Sequence, residues 1–131
     1  MALDPENLPD EVLDFLRERH LATLTTLRPD GSPHVVAVGF TWDDDQRIAR
    51  VITWDASKKA RNVAASPGSR AVVSQVDGGR WLSMEGPARL VTDPDGCREG
   101  TTRYAERYRE PKDRPDRAVI EIAVDRVLGR G

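Results

Sequence analysis

Ser57-Lys58-Lys59-Ala60-Arg61-Asn62 follows directly on the β-type run Arg50-Val51-Ile52-Thr53-Trp54. A strand that runs into a short helix with Ser and Lys in its first turn attracts an anion in three ways. Its first backbone N–H groups lack partners, its dipole presents a positive end, and its ammonium groups are mobile. The chemistry is anion binding. The same six residues also suit a solvated surface helix, and the segment alone does not choose between the two. The chain shows no nucleophile elbow, no paired-carboxylate site and no metal cluster, and His20 and His34 are too few for a structural zinc. No catalytic side chain is assigned.

Composition bounds the rest. The 131 residues fit one domain over 1–131, long enough to bury about two-thirds of the surface exposed by the unfolded chain. With 20 basic against 22 acidic residues the net charge is -2, which gives no general attraction to nucleic acid. The lone Cys97 excludes an internal disulfide and points to a reducing compartment. Met1-Ala2-Leu3-Asp4-Pro5-Glu6 is acidic and leads into no long apolar run, so neither a signal peptide nor a membrane span is expected. The expectation is a cytoplasmic protein.

The elements that must position the basic segment are mostly strands. Pro9, Asp10 and Glu11 open a helix whose Leu8, Val12, Phe15 and Leu16 recur at helical spacing. Residues 21–27 read as a strand, and Arg28-Pro29-Asp30-Gly31-Ser32 as a turn. The return strand over 33–42 is nearly continuous in apolar residues, which suggests burial on both faces or an interface on one. A third strand over 47–54 delivers the basic cluster. After a helix of about two turns come a strand over 71–76, the hairpin turn Asp77-Gly78-Gly79 and a strand over 81–91. Gly86-Pro87 inside that strand suits a bulge or a barrel corner. Asp93 and Pro94 open a second substantial helix with Cys97, Thr101, Tyr104 and Tyr108 on one stripe, weakened by Gly96 and Gly100. A polar loop over 110–116 leads to a final strand with Ile120, Ile122 and Val124 on one face and Glu121 and Asp125 on the other. About six strands in hairpin order with few helices predict a mainly β fold, a small antiparallel barrel with helical lids, rather than a doubly wound sheet.

Three segments in this order resemble a known family: the run from Leu24 to Val36 containing Leu27-Arg28-Pro29-Asp30-Gly31-Ser32, the segment Ser57 to Asn62, and Gly86-Pro87-Ala88. The resemblance is to the split β-barrel flavin and deazaflavin oxidoreductases related to pyridoxamine 5′-phosphate oxidase, and it covers nearly the whole chain. His34-Val35-Val36-Ala37-Val38-Gly39-Phe40-Thr41, Ser74-Gln75-Val76-Asp77-Gly78 and Arg80-Trp81-Leu82-Ser83 are most similar to the branch that uses coenzyme F420, including its biliverdin reductases.

The resemblance implies a six-stranded antiparallel split barrel that binds coenzyme F420, with FMN as the alternative, and reduces a small conjugated molecule such as biliverdin. It assigns the phosphate to Ser57, Lys58, Lys59 and Asn62, with Lys59 best placed and Arg61 left to structural pairing. It lays the tricyclic ring against Val36, Val38, Ile52, Thr53 and Trp54. It implies a homodimer with cofactor sites at the subunit interface, where Gln75 and Trp81 reach the cofactor. Arg28, Arg80 and Arg103 are the candidates for an anionic substrate. Two further functions remain open. One is an FMN-dependent oxidase or reductase, favoured if the phosphate pocket is too closed for the longer, poly-glutamylated deazaflavin tail. The other is a carrier or sensor that binds the cofactor without catalysis. The chain stops at Gly131, without the longer carboxyl-terminal region of true pyridoxamine phosphate oxidases, which argues away from that activity.

Overall fold

Short apolar runs punctuated by Gly, Pro and Asp turns can satisfy their backbone groups only by pairing with one another. The computed structural model, which describes Met1–Gly131, shows how they do so. In chain order the elements are β1 (Ala2–Leu3), α1 (Asp10–Arg17), β2 (Ala22–Leu27), β3 (Pro33–Val38), β4 (Thr41–Asp43) and β5 (Ile48–Trp54). These are followed by α2 (Lys58–Ala65), β6 (Arg70–Asp77), β7 (Arg80–Val91), α3 (Pro94–Arg107), β8 (Arg117–Ala123) and β9 (Arg126–Arg130). The fold is mainly β, antiparallel throughout, with three helices outside the sheet.

Strands follow the order β3-β2-β6-β7-β8-β5-β4, with β9 on β7 and β1 on β9. β3 and β4 are consecutive in the chain yet occupy opposite ends of this path. The link Gly39-Phe40 therefore bends the sheet round on itself while its hydrogen-bonded path stays open. β7 is the hinge of the arrangement. Its Trp81–Glu85 half pairs with β9, and its Ala88–Val91 half pairs with β8. Gly86 stands at the changeover, where an added Cβ would lie 1.9 Å from the carbonyl oxygen of Ala123. The corner expected at Gly86-Pro87 is thus the place where one strand serves two sheet sections.

The barrel interior is filled by side chains rather than left as a cavity. Leu24, Leu82, Met84, Ile120 and Ile122 meet Phe15 of α1 and Phe40 of the β3–β4 link, all essentially without solvent exposure. α1 buries Val12, Phe15 and Leu16, the face that its helical spacing predicts. In α3 the two glycines are contact points rather than weaknesses. A Cβ on Gly100 would meet Val119 at 2.7 Å, so only glycine lets the helix lie this close to the sheet.

Two expectations are revised. There are nine strands rather than six, because the 33–42 run breaks at Gly39-Phe40 and the two chain ends add β1 and β9. Glu121 does not face water: its carboxylate is buried and accepts from Arg50 Nε at 3.2 Å and Arg89 Nη2 at 2.7 Å. Arg50 also donates to Asp43 at 2.9 Å, so one buried network joins β4, β5 and β8.

Candidate functional site

The end of β5 and the start of α2 form one unit. Ser57 is the N-cap of α2, where its Oγ accepts from the Ala60 amide at 3.2 Å and shares a 2.8 Å hydrogen bond with Thr53 Oγ1. Both hydroxyls are buried. The helix start is fixed to the strand, and the Lys58 and Lys59 amides in its first turn have no intrahelical acceptor. The first turn holds no acid. It carries Lys58 and Lys59 instead, cations at the end of the dipole that disfavours them.

Lys59 is half-buried, and its Nζ lies 4.9 Å from the centroid of the Trp54 indole. Burial pushes its pKa below the ordinary lysine value. The Arg114 guanidinium lies 4.8 Å from the same ring centroid. Two cations therefore meet one indole, and Arg114 alone has a carboxylate partner, Asp116 at 2.9 Å. A partly desolvated ammonium without a counter-ion, beside a second cation, favours the arrival of an anion.

Deeper under α2, Asn62 Nδ2 donates to Thr26 Oγ1 at 3.1 Å, and Thr26 stands opposite His34 in the β2–β3 ladder. Asn62 Oδ1 and His34 Nδ1 are buried without hydrogen-bond partners. Burial is the main reason that His34 is held below its usual pKa, with the positive charges of Arg28, Lys58 and Lys59 adding to it. The ring is therefore neutral near pH 7 and can offer an N–H. The Thr26 hydroxyl can donate or accept, so a half-turn of the Asn62 amide would put its NH2 in the buried, unpartnered position. This donor set fits a phosphate group.

The structure brings together Ile52, Thr53, Trp54, Ser57, Lys58, Lys59 and Asn62. Val36 and Val38 lie on the inner face of β3, Val38 in the core and Val36 packed against it. Trp81 is half-buried on the outer face of the sheet, opposite Val76 and Arg130. Gln75 is 1% exposed, with Nε2 donating to Phe15 O at 3.2 Å and Oε1 accepting from Arg107 at 2.8 Å. Its amide bridges α1 and α3. Arg61 makes no ion pair and is exposed.

The three arginines expected to meet an anionic substrate are already engaged. Arg80 bonds Glu18 and Asp77, Arg103 bonds Glu99 and Asp43, and Arg28 donates to Pro33 O and Ser32 Oγ. A cleft of about 590 Å³ instead lies beside Ile52, Thr53 and Trp54, against Tyr104 and the loop between α3 and β8. That loop supplies Arg109, Lys112 and Arg114 to the lining and the start of β8 supplies Arg117, with Glu110 as the one acid of the lining. Sequence reading takes this stretch as an ordinary polar loop.

The family model described as pyridoxamine 5′-phosphate oxidase matches residues 8–131. The chain belongs to the pyridoxamine 5′-phosphate oxidase family. Within that family, a Mycobacterium tuberculosis (strain CDC 1551 / Oshkosh) protein named F420H(2)-dependent biliverdin reductase is 58% identical over 122 residues, 93% of this chain and 88% of the relative. Among solved structures, the conserved hypothetical protein Rv2991 from Mycobacterium tuberculosis superposes with a TM-score of 0.78 at 26% identity, over 95% of this chain and 85% of that one. An F420 reductase superposes with a TM-score of 0.73 at 28% identity, over 92% of this chain and 98% of that one.

Proposed function

We propose that this chain is a coenzyme F420-dependent oxidoreductase that reduces a small conjugated molecule, most closely matched by biliverdin. The observation that carries this reading is the 58% identity, over 93% of the chain, with the F420H(2)-dependent biliverdin reductase. The start of α2 supports it with a donor set suited to phosphate.

When bound, the reduced deazaflavin supplies the hydride. The chain's own residues bind, orient and exclude water. Lys58 and Lys59, with the first-turn amides of α2, hold the phosphate. Ser57 fixes the helix start through Thr53, and Asn62 adds a donor from beneath. Val36, Val38 and the backbone of Ile52 and Thr53 provide the apolar wall for the ring, with Trp54 closing its solvent side. The proton that accompanies hydride is not assigned to a side chain.

A homodimer completes the reading. Val35 and Val76 are 56% and 69% exposed on the outer face of the sheet, and Trp81 lies opposite Val76 in the same face. Exposed apolar side chains on a sheet face are stabilised when a second copy covers them. Such pairing places Trp81 at the interface. No helix is long and apolar enough to cross a membrane.

The test is anaerobic mixing of purified protein with reduced F420, with and without biliverdin. Recovery of the oxidised deazaflavin's visible absorbance only when biliverdin is present is the expected result. No turnover with biliverdin overturns the substrate, and turnover with reduced FMN but not reduced F420 overturns the cofactor.

A further inference from the structure

We propose that the cavity between α1, β4 and α3 is a binding site for a small flat carboxylate, an aromatic acid of one or two rings. The cavity measures about 370 Å³ and is lined by Leu16 and Arg17 of α1, Thr41 and Trp42 of β4, and Arg103, Glu106 and Arg107 of α3. It shares no residue with the cleft beside Trp54. Two of its three cations already hold carboxylates: Arg17 bonds Asp14, and Arg103 bonds Asp43 and Glu99. Arg107 holds none. Its Nε donates to Glu18 O at 2.9 Å, Nη1 to Phe40 O at 2.6 Å and Nη2 to Gln75 Oε1 at 2.8 Å, all uncharged acceptors. Burial works against its charge, and the Tyr108 hydroxyl and the charge of Glu18 offset this only in part. Glu106, the one acid of the lining, is exposed and makes no ion pair.

The donors left over define the ligand. A guanidinium carries five N–H groups, all in its plane. Three of those on Arg107 are spent on the acceptors above, and the Phe40 and Tyr108 rings pack against it with centroids 4.9 and 5.2 Å from its carbon. One donor on each terminal nitrogen remains, and a planar pair of donors matches a carboxylate. Thr41 is 6% exposed, and its Oγ1 is buried without a hydrogen-bond partner. An unpaired buried hydroxyl is costly, and a carboxylate oxygen in this cavity would accept its proton. The Trp42 indole is held by its Nε1–H bond to Asp44 at 3.0 Å, and with Leu16 it offers a fixed apolar surface to a flat body. Small-molecule sites span about 300–1,000 Å³. This cavity stands at the small end, which suits one or two rings and not a tetrapyrrole.

The experiment titrates the purified protein calorimetrically with benzoate, with benzamide as its uncharged counterpart and acetate as a carboxylate without the ring. Benzoate should bind at least about tenfold more tightly than either. In the NMR spectrum the Trp42 indole N–H resonance should shift while that of Trp54 stays. Thr41→Val removes an unpaired hydroxyl and little else, so it should melt at or above wild type and bind benzoate about tenfold more weakly. The comparison of benzoate with benzamide uses wild type alone and stands even if the variant fails to fold. Equal affinity for benzamide or acetate, no binding at millimolar benzoate, or folded Thr41→Val that binds like wild type overturns the site. A Trp54 resonance that moves in place of the Trp42 one puts benzoate in the other cleft and overturns it as well.

Discussion

Lys59 places its ammonium 4.9 Å from the centroid of the Trp54 indole, in a half-buried position with no carboxylate partner. A lysine elsewhere on a short surface helix would extend into water. Here the aromatic ring holds the charge beside the end of β5, and burial lowers its pKa without a counter-ion to offset the cost.

Lys59→Ala is expected to weaken coenzyme binding by about 1.5–3 kcal/mol, the range for a hydrogen bond to a charged group. In dissociation constants this is roughly ten- to a hundred-and-fifty-fold. Titration of wild type and variant checks it, and equal constants would remove Lys59 from the phosphate site. Thermal stability should change by less than about 1 kcal/mol, since a cation over an exposed indole contributes little.

Asp43 is 1% exposed and holds Arg50 at 2.9 Å and Arg103 at 3.2 Å. Asp43→Ala leaves Arg50 buried with only Glu121, and a loss of about 3 kcal/mol is expected in denaturant unfolding. A loss below about 1 kcal/mol would show that the network relaxes around the gap.

Acid sensitivity follows from the same carboxylate. Burial pushes the Asp43 pKa upward, but bonds from Arg50 and the Gln46 amide and the charge of Arg103 outweigh it and hold the group below the ordinary value of 3.8. The unfolded chain therefore takes up this proton first as pH falls. The contribution is fully present above about pH 4 and is lost as pH drops through the lower folded value. Melting temperatures measured from pH 7 down to about 2.5 should fall less steeply below pH 4 in Asp43→Ala than in wild type. Parallel slopes would assign the acid loss to other carboxylates.

Gly86→Ala is expected to cost about 3 kcal/mol or more, because the new Cβ would sit 1.9 Å from a backbone oxygen that cannot swing aside. Chemical unfolding checks it. A near-neutral result would mean that the β8–β9 connection shifts without loss.

The outer sheet face leads to a prediction about assembly. Wild type is expected to sediment as a dimer, and Val35→Glu combined with Val76→Glu to sediment as a monomer with its melting nearly unchanged. A monomeric wild type at micromolar concentration would remove the interface.

Much of the site is legible in the sequence because its signals are local. A cap, two lysines and a preceding β run are contiguous, and Ser57 anchors α2 as that pattern implies. What escapes is set by neighbours distant in the chain. The stretch from Arg109 to Arg117 mixes both signs and reads as solvated, since only tertiary placement decides that Arg114 is paired while Arg109 and Lys112 are not. Glu121 alternates as a water-facing residue should, but Arg50 and Arg89 bring it into the network. Gln75 sits on a strand beside apparent site residues, yet its amide is taken by Phe15 and Arg107, 60 and 32 positions away. The strand Arg126–Arg130 was hidden by its charges and Gly129, whose φ of +133 fits against the Trp81 carbonyl where no side chain could.

A crystal structure of the protein with oxidised F420 bears most directly on the whole reading. The phosphate should lie within hydrogen-bonding reach of the Lys59 ammonium and the first amides of α2, with the ring against Val36, Val38 and the Ile52–Thr53 backbone. Density for the phosphate away from α2, with Lys59 still over Trp54, would contradict it.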